Sequence, residues 1–215
     1  RINKKTSLIG FVGAPLTISF FMFDNRKKKN YFQTLAFFKK NKTKTTKLFS
    51  LLESVIAEHA IGQLKAGAQV IQIFDSLAGV VADRDLKVYS IDPIKRICNL
   101  IKKKKPKAHI IVFPRNVGIN YTKYIYKHID CISVGEDIKL REIKKIQEKK
   151  GIQGNLSPKI LFNGGKKLEI ETMKILNKFS SKPFIFNLSH GIMPGTPIRN
   201  VRKLVDIIRK YKSEI

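Results

Sequence analysis

Short apolar runs recur along the 215 residues, each bounded by glycine, proline or asparagine, and longer segments of mixed character lie between them. A short apolar run of this kind predicts a buried β-strand, whereas an apolar stripe that repeats every three to four residues predicts an amphipathic helix. The predicted strands, six in all, are Ser7–Val12, Val70–Phe74, His109–Phe113, Cys131–Val134, Gly151–Gly154 and Phe184–Leu188.

The segments between these strands carry the helical repeat, and the longest of them runs from Lys42 to Lys65. The other predicted helices are Ala14–Phe23, Asn30–Phe38, Ile91–Lys104, Tyr121–His128, Lys139–Glu148, Leu168–Phe179 and Ile198–Lys212. Alternation of strands with helices implies parallel strands joined by right-handed crossovers. Two α/β architectures satisfy this pattern, namely an open doubly wound sheet and a (β/α)₈ barrel.

The strand ends distinguish these two architectures. A dinucleotide-binding sheet has a G-x-G-x-x-G turn after an early strand, and the stretch "GFVGAP" has two glycines three residues apart but lacks that motif. In a barrel, functional side chains gather at the carboxyl ends of the strands. Polar or unusual residues do follow the predicted strands, at Gly13-Ala14-Pro15, Asp75-Ser76, Pro114-Arg115-Asn116, Glu136-Asp137, Asn155 and Ser189-His190. These groups predict a barrel that binds a polar ligand.

Six strands cannot close an eight-stranded TIM barrel, because open edges would remain. The chain starts at Arg1 and enters an apolar run within a few residues. We therefore expect residues 1–215 to form a single partial (β/α)₈ barrel domain whose two amino-terminal strands precede Arg1.

The net charge of the chain indicates what kind of partner it could bind. The formal net charge is +27, from 43 Lys and Arg against 16 Asp and Glu, which favours a polyanionic partner. The basic residues are scattered in short runs and are not interleaved with aromatic residues, an arrangement that argues against nucleic-acid binding.

Cys98 and Cys131 have no paired spacing, so neither a disulfide scaffold nor a zinc cluster is expected. No apolar stretch is long enough to span a bilayer and no signal peptide opens the chain, so a cytoplasmic protein is expected.

Four stretches resemble the uroporphyrinogen decarboxylase family, in the order and near the spacing of that family. They are "GFVGAPLT" (10–17), "AGAQVIQIFDSLAG" (66–79), "GIQGNLSP" (151–158) and "NLSHGIMPGTPIRNV" (187–201). The resemblance covers essentially the whole chain and corresponds to the carboxyl-terminal two thirds of a family member. It implies a (β/α)₈ barrel, a homodimer, and removal of the four acetate carboxyls of uroporphyrinogen without metal or organic cofactor. The substrate carries eight carboxylates, which suits a basic cleft.

The resemblance also assigns three substrate-binding positions. The family's strand-end serine or threonine falls on Ser76, its substrate-binding histidine on His190, and its substrate-contacting tyrosine on Phe21, which has no hydroxyl group. The family's catalytic aspartate and its arginine-rich stretch lie upstream of Arg1, so no catalytic residue is assigned within this chain. Structural alternatives stay open, because Ser76 could cap a helix and His190 could simply fill its local surroundings.

Two other kinds of function stand beside the one that the resemblance implies. Corrinoid-linked methyltransferases share the barrel but bind zinc through His and Cys at strand ends, where this chain has Arg115-Asn116 and His190-Gly191. A catalytically incomplete fragment, or a basic protein that binds porphyrinogen or nucleic acid without turnover, is the remaining alternative. Release of carbon dioxide separates a decarboxylase from a binding protein.

Overall fold

The computed structural model describes residues 6–23 and 31–211, which belong to two compact units, Arg1–Asp130 and Cys131–Ile215. Each unit contains three parallel strands, and helices connect successive strands. The predicted α/β class and the six predicted strands are confirmed. Asn30 and Lys212, the ends of two predicted helices, lie outside the described residues.

The first unit is a three-stranded parallel sheet with helical connections. Its strands are ordered β1-β2-β3, with Ile9 opposite Val70 and Val70 opposite His109. Its elements are β1 (Ile9–Gly13), α1 (Pro15–Phe23), α2 (Tyr31–Lys40), α3 (Lys42–Lys65), β2 (Val70–Asp75), a 3₁₀ turn (Ala78–Val80), α4 (Asp83–Leu86), a π-helical turn (Lys87–Ile91), α5 (Asp92–Lys104), β3 (His109–Pro114) and a second 3₁₀ segment (Gly118–Tyr124).

The two long helices of this unit, α3 and α5, pack against each other. Helix α5 buries Ile94, Ile97 and Ile101, an i, i+3, i+7 stripe, and its last turn carries three lysines that suit the negative end of the helix dipole. Helices α3 and α5 are joined by a bidentate ion pair in which Arg96 donates to both carboxylate oxygens of Glu53, each at 2.8 Å. The carboxylate side of this pair is buried.

The second unit repeats the strand–helix pattern. Its elements are β4 (Cys131–Ser133), α6 (Leu140–Gln147), β5 (Gly151–Leu156), α7 (Pro158–Asn163), α8 (Gly165–Phe179), β6 (Phe184–Leu188) and α9 (Ile198–Lys210). The strands are parallel and ordered β4-β5-β6. Four buried leucines from β5, α7, α8 and α9 form the core of this unit: Leu156, Leu161, Leu168 and Leu204.

Two sequence-based predictions, one in each unit, are wrong. The predicted helix Tyr121–His128 is replaced by the 3₁₀ segment Gly118–Tyr124, in which Tyr121 and Tyr124 are both fully buried. A 3₁₀ helix brings residues i and i+3 onto one face, so two buried tyrosines at this spacing mimic an amphipathic helix in the sequence. Strand β5 continues to Leu156, which places Asn155 inside the strand rather than after it.

Among the described residues, no helix is both long enough and apolar enough to cross a membrane.

Candidate functional site

The carboxyl ends of β1, β2 and β3 are tied together by backbone hydrogen bonds. The Ala14 amide donates to the Phe74 carbonyl at 2.8 Å, and the Arg115 amide donates to the Asp75 carbonyl at 3.1 Å. The Gly79 amide in turn donates to the Arg115 carbonyl at 3.0 Å. A methyl group on Gly79 would lie 2.7 Å from Cβ of Asn116, so only glycine permits this close approach.

A buried carboxylate organises this edge of the sheet. Asp75, the last residue of β2, is fully buried, and its two oxygens accept hydrogen bonds from different elements. Thr17 Oγ1 of α1 donates to Oδ1 at 2.6 Å, and Ser90 Oγ of the π-helical turn donates to Oδ2 at 2.5 Å. Ser90 Oγ also lies 2.7 Å from the Tyr124 hydroxyl oxygen. Because the single Ser90 proton goes to Asp75, the Tyr124 hydroxyl donates to Ser90.

Burial controls the electrostatics of this cluster. Desolvation raises the pKa of Asp75 from 3.8 to about 6, although the hydrogen bonds from Ser90 and Thr17 oppose the shift. Burial also raises the pKa of Tyr124, and the nearby charge of Asp75 raises it further. At neutral pH the cluster therefore contains an ionised Asp75 and a neutral tyrosine.

Ser76 lies between two anchored residues. Asp75 on one side is held by its carboxylate, and the Leu77 amide on the other side donates to Thr17 Oγ1 at 3.1 Å. Ser76 itself is half-buried. Leu77, not Ser76, stands at the cap position of the 3₁₀ turn Ala78–Val80, so the simple capping alternative for Ser76 does not describe this turn. A substrate-binding role for Ser76 stays a prediction.

Phe21 lies on α1, one helical turn after Thr17. Its side chain is 65% exposed, and its neighbours Met22 and Phe23 are also exposed. Helix α1 thus has one end anchored against the end of β2 and an exposed apolar end that carries the candidate residue. Thr17 joins the segments that carry Phe21 and Ser76.

The second unit holds the third candidate. At the end of β6, the Ser189 amide donates to the Leu156 carbonyl at 2.8 Å and the Ser189 hydroxyl donates to Glu136 Oε1 at 2.8 Å. His190 is exposed, and its Nδ1 accepts a hydrogen bond from the Gly191 amide. A neutral His190 therefore carries its proton on Nε2, which is the atom able to donate to a ligand.

Three residues of the Asp75 cluster had not been singled out in the sequence, namely Thr17, Ser90 and Tyr124. Thr17 is the last residue of the stretch "GFVGAPLT", and Ser90 is a polar residue in the otherwise apolar run "VYSI". An isolated hydroxyl among buried apolar residues needs a partner, which is the signal that marks Ser90.

No group of three or more His, Cys, Asp or Glu side chains able to hold a metal ion occurs among the residues that the structure describes. A cavity of about 940 Å³ in the first unit lies between helices and is lined by residues such as Phe49, Tyr89 and Arg96. Neither Phe21 nor Ser76 lines it, so this cavity is separate from the candidate residues.

Parallel strands in sequential order, connected by helices and with polar residues at their carboxyl ends, are typical of an α/β fold of the TIM-barrel type. A solved structure of a B12-independent methionine synthase from Shewanella sp. W3-18-1 matches with a TM-score of 0.63, covering 96% of this chain and 63% of that chain. Identity is 13%, so the likeness concerns the fold alone. The partial barrel predicted from the sequence agrees with this match, because six strands are described where a closed barrel has eight.

Sequence comparison identifies the family. The model of the uroporphyrinogen decarboxylase (URO-D) family matches residues 1–211, and the chain belongs to this family. A relative from Rickettsia massiliae, named uroporphyrinogen decarboxylase, is 36% identical over 215 residues, which are 100% of this chain and 62% of the relative. A relative of the same name from Rickettsia bellii is 38% identical over 213 residues and 63% of its length. The chain thus spans somewhat less than two thirds of these relatives.

Proposed function

We propose that this chain forms the carboxyl-terminal part of a uroporphyrinogen decarboxylase, which converts uroporphyrinogen to coproporphyrinogen in haem biosynthesis. The observation that carries the proposal is the family match over residues 1–211, together with relatives that bear this name. The net charge of +27 supports it, because the substrate would carry eight carboxylates.

The proposed reaction needs acid–base chemistry and orientation but no nucleophile. A proton adds to the pyrrole ring carbon next to the one that bears an acetate arm, and the ring becomes a cation that is conjugated to that arm. The bond between the arm's methylene carbon and its carboxylate then breaks, its electron pair enters the ring, and carbon dioxide leaves. A second proton adds to the exposed methylene carbon and the ring carbon loses its proton, so one acetate becomes one methyl group. Charges placed against the developing cation lower the barrier.

Within this chain, Ser76 and His190 are proposed to bind substrate carboxylates. Ser76 supplies a hydroxyl donor held on an anchored loop, and His190 supplies an imidazole donor at the end of β6. Phe21 is proposed to contact the substrate without donating a hydrogen bond. The catalytic aspartate is proposed to come from the part of the family that these residues do not match, and a homodimer in the cytoplasm is proposed for the whole enzyme.

The proposal is tested by joining this chain to the amino-terminal part of the Rickettsia bellii relative that it does not match. We expect the joined protein to release carbon dioxide from uroporphyrinogen and to form coproporphyrinogen. The two parts tested separately are the controls, and we expect neither to turn over.

A binding protein gives a different result. It would bind porphyrinogen with no carbon dioxide released in any combination of parts. If it bound nucleic acid, its affinity would fall steeply as salt is raised, because phosphate contacts release counterions. Either result would contradict the decarboxylase proposal.

A further inference from the structure

We propose that Asp75 is a positioning residue, whose buried carboxylate, held by Thr17 and Ser90, fixes Ser76 in the orientation that binds a substrate carboxylate. The inference rests on the proposed function and adds to it a residue outside the three predicted contacts. Asp75 is fully buried, so it acts through its neighbours and not by touching substrate.

The first step is the geometry of the loop that carries Ser76. Thr17 Oγ1 does two things at once, donating to Asp75 and accepting from the Leu77 amide. The residues before and after Ser76 are thereby held by one hydroxyl group of α1. This leaves the Ser76 backbone little freedom to rotate, so its side chain is preorganised before substrate binds.

The hydrogen bonds around Asp75 require a carboxylate at this position. Both oxygens of Asp75 accept hydrogen bonds, one from Thr17 and one from Ser90, and the Tyr124 hydroxyl donates to Ser90. An asparagine of the same shape has one acceptor and one donor. It would force either the Thr17 or the Ser90 hydroxyl to reverse, and the displaced proton would need another acceptor in a buried site.

Burial of the Asp75 carboxylate lowers the stability of the fold. A charged group in a fully buried site loses its hydration, and the raised pKa shows that the surroundings favour the neutral acid. At neutral pH the ionised carboxylate therefore lowers the stability of the fold relative to the protonated acid. Buried groups that cost stability are typical of sites where position matters for function.

The test uses the joined protein with Asp75→Asn, and Asp206→Asn, an exposed acid on α9, as the matched control. Misplacement of a substrate-binding group by a fraction of an ångström to an ångström lowers kcat/KM on the order of 10–100-fold, which is the loss we expect for Asp75→Asn. The thermal midpoint at pH 7.5 should not fall, because removing the buried charge offsets the hydroxyl group that loses its acceptor. Asp75→Glu, which keeps both acceptor oxygens, should retain more activity than Asp75→Asn, and Asp206→Asn should match the wild type.

A double-mutant cycle separates positioning from general structural support. In a Ser76→Ala background, Asp75→Asn should have little further effect on kcat/KM, because the group being positioned is gone. Additive losses in the two variants overturn the inference, and so does an unchanged kcat/KM in Asp75→Asn. If Asp75→Asn does not fold, Thr17→Val takes its place in the same cycle. Absence of turnover in the unmutated joined protein instead removes the proposed function, and the inference with it.

Discussion

The ends of β2 and β6 carry the two candidate carboxylate-binding residues, and they are built differently. Ser76 follows a fully buried carboxylate that accepts hydrogen bonds from two other segments, and the next amide along is also held. His190 follows a buried serine that is anchored to Leu156 and Glu136, but the histidine itself is exposed. The residues on both sides of Ser76 are anchored, whereas at the end of β6 the anchored residue is Ser189, which precedes His190.

This difference has a chemical counterpart. A serine hydroxyl is neutral and its usefulness depends on direction, so it benefits from a rigid loop. An imidazole can gain a proton and attract a carboxylate from a wider range of positions, so it needs less exact placement. Substitutions far from the ligand should therefore disturb the first strand end more than the second.

The largest expected effect concerns Asp75 and pH. Because its pKa is raised from 3.8 in the unfolded chain to about 6, the folded state binds more protons between these values, and stability falls as pH rises through this window. The shift corresponds to about 3 kcal/mol. Urea unfolding measures the free energy of unfolding of Asp75→Asn and of the wild type at pH 4 and at pH 7.5. Between these two pH values the difference should change in favour of Asp75→Asn by up to about that much. An equal difference at both pH values would contradict burial of the charge.

Ser90→Ala should have the next largest effect. It leaves a buried oxygen of Asp75 and the Tyr124 hydroxyl without their partner, which costs about 1–3 kcal/mol in the free energy of unfolding. Ser189→Ala is the matched change at the other strand end, and we expect it to cost about 0.5–1.5 kcal/mol because its partner Glu136 is exposed. Urea titration of both variants at pH 7.5 measures the contrast. A larger loss in Ser189→Ala would reverse the comparison.

Phe21→Tyr should add a hydrogen-bond donor near the end of β2, the strand end whose residues are held by Thr17. The ring is 65% exposed, so the new hydroxyl meets water and stability should change little. One hydrogen bond to the substrate is worth about 0.5–1.5 kcal/mol, which is up to about tenfold in kcat/KM. Kinetics of the joined protein test this gain, with Phe32→Tyr, on an exposed position of α2, as the control. Equal gains from both changes would argue against a substrate contact at Phe21.

His190→Ala should have the smallest effect on stability. The side chain is exposed, and removing an exposed side chain usually changes the free energy of unfolding by less than about 0.5 kcal/mol. Substrate affinity should nevertheless fall. A loss of stability comparable to that of Ser90→Ala would instead favour the reading in which His190 fills its local surroundings.

The strands could be predicted because each is a short apolar run with clear boundaries. Strands β2 and β3 are buried along nearly their whole length, and buried parallel strands have continuous apolar sequences. The apolar stripe of helix α5 also predicts that helix, but no sequence pattern predicts the π-helical turn before it. That turn carries Ser90 to Asp75, and its geometry depends on tertiary hydrogen bonds that no local pattern encodes.

The sequence predicts the polar residues at the strand ends, but it does not predict which side chains contact them. Asp75 and Ser76 stand out as polar residues after an apolar run. Thr17 donates to this carboxylate across a separation of 58 residues, and Tyr124 donates to Ser90 across a separation of 34 residues. Contacts at such separations follow from packing, and spacing alone does not reveal them.

The central proposal, which rests on the family match, is that Ser76 and His190 each bind a substrate carboxylate, and a crystal structure of the joined protein with coproporphyrinogen tests it most directly. The proposal predicts Ser76 Oγ and His190 Nε2 each within about 3.2 Å of a propionate oxygen of bound coproporphyrinogen. A bound tetrapyrrole that touches neither side chain, or only one of them, would contradict it.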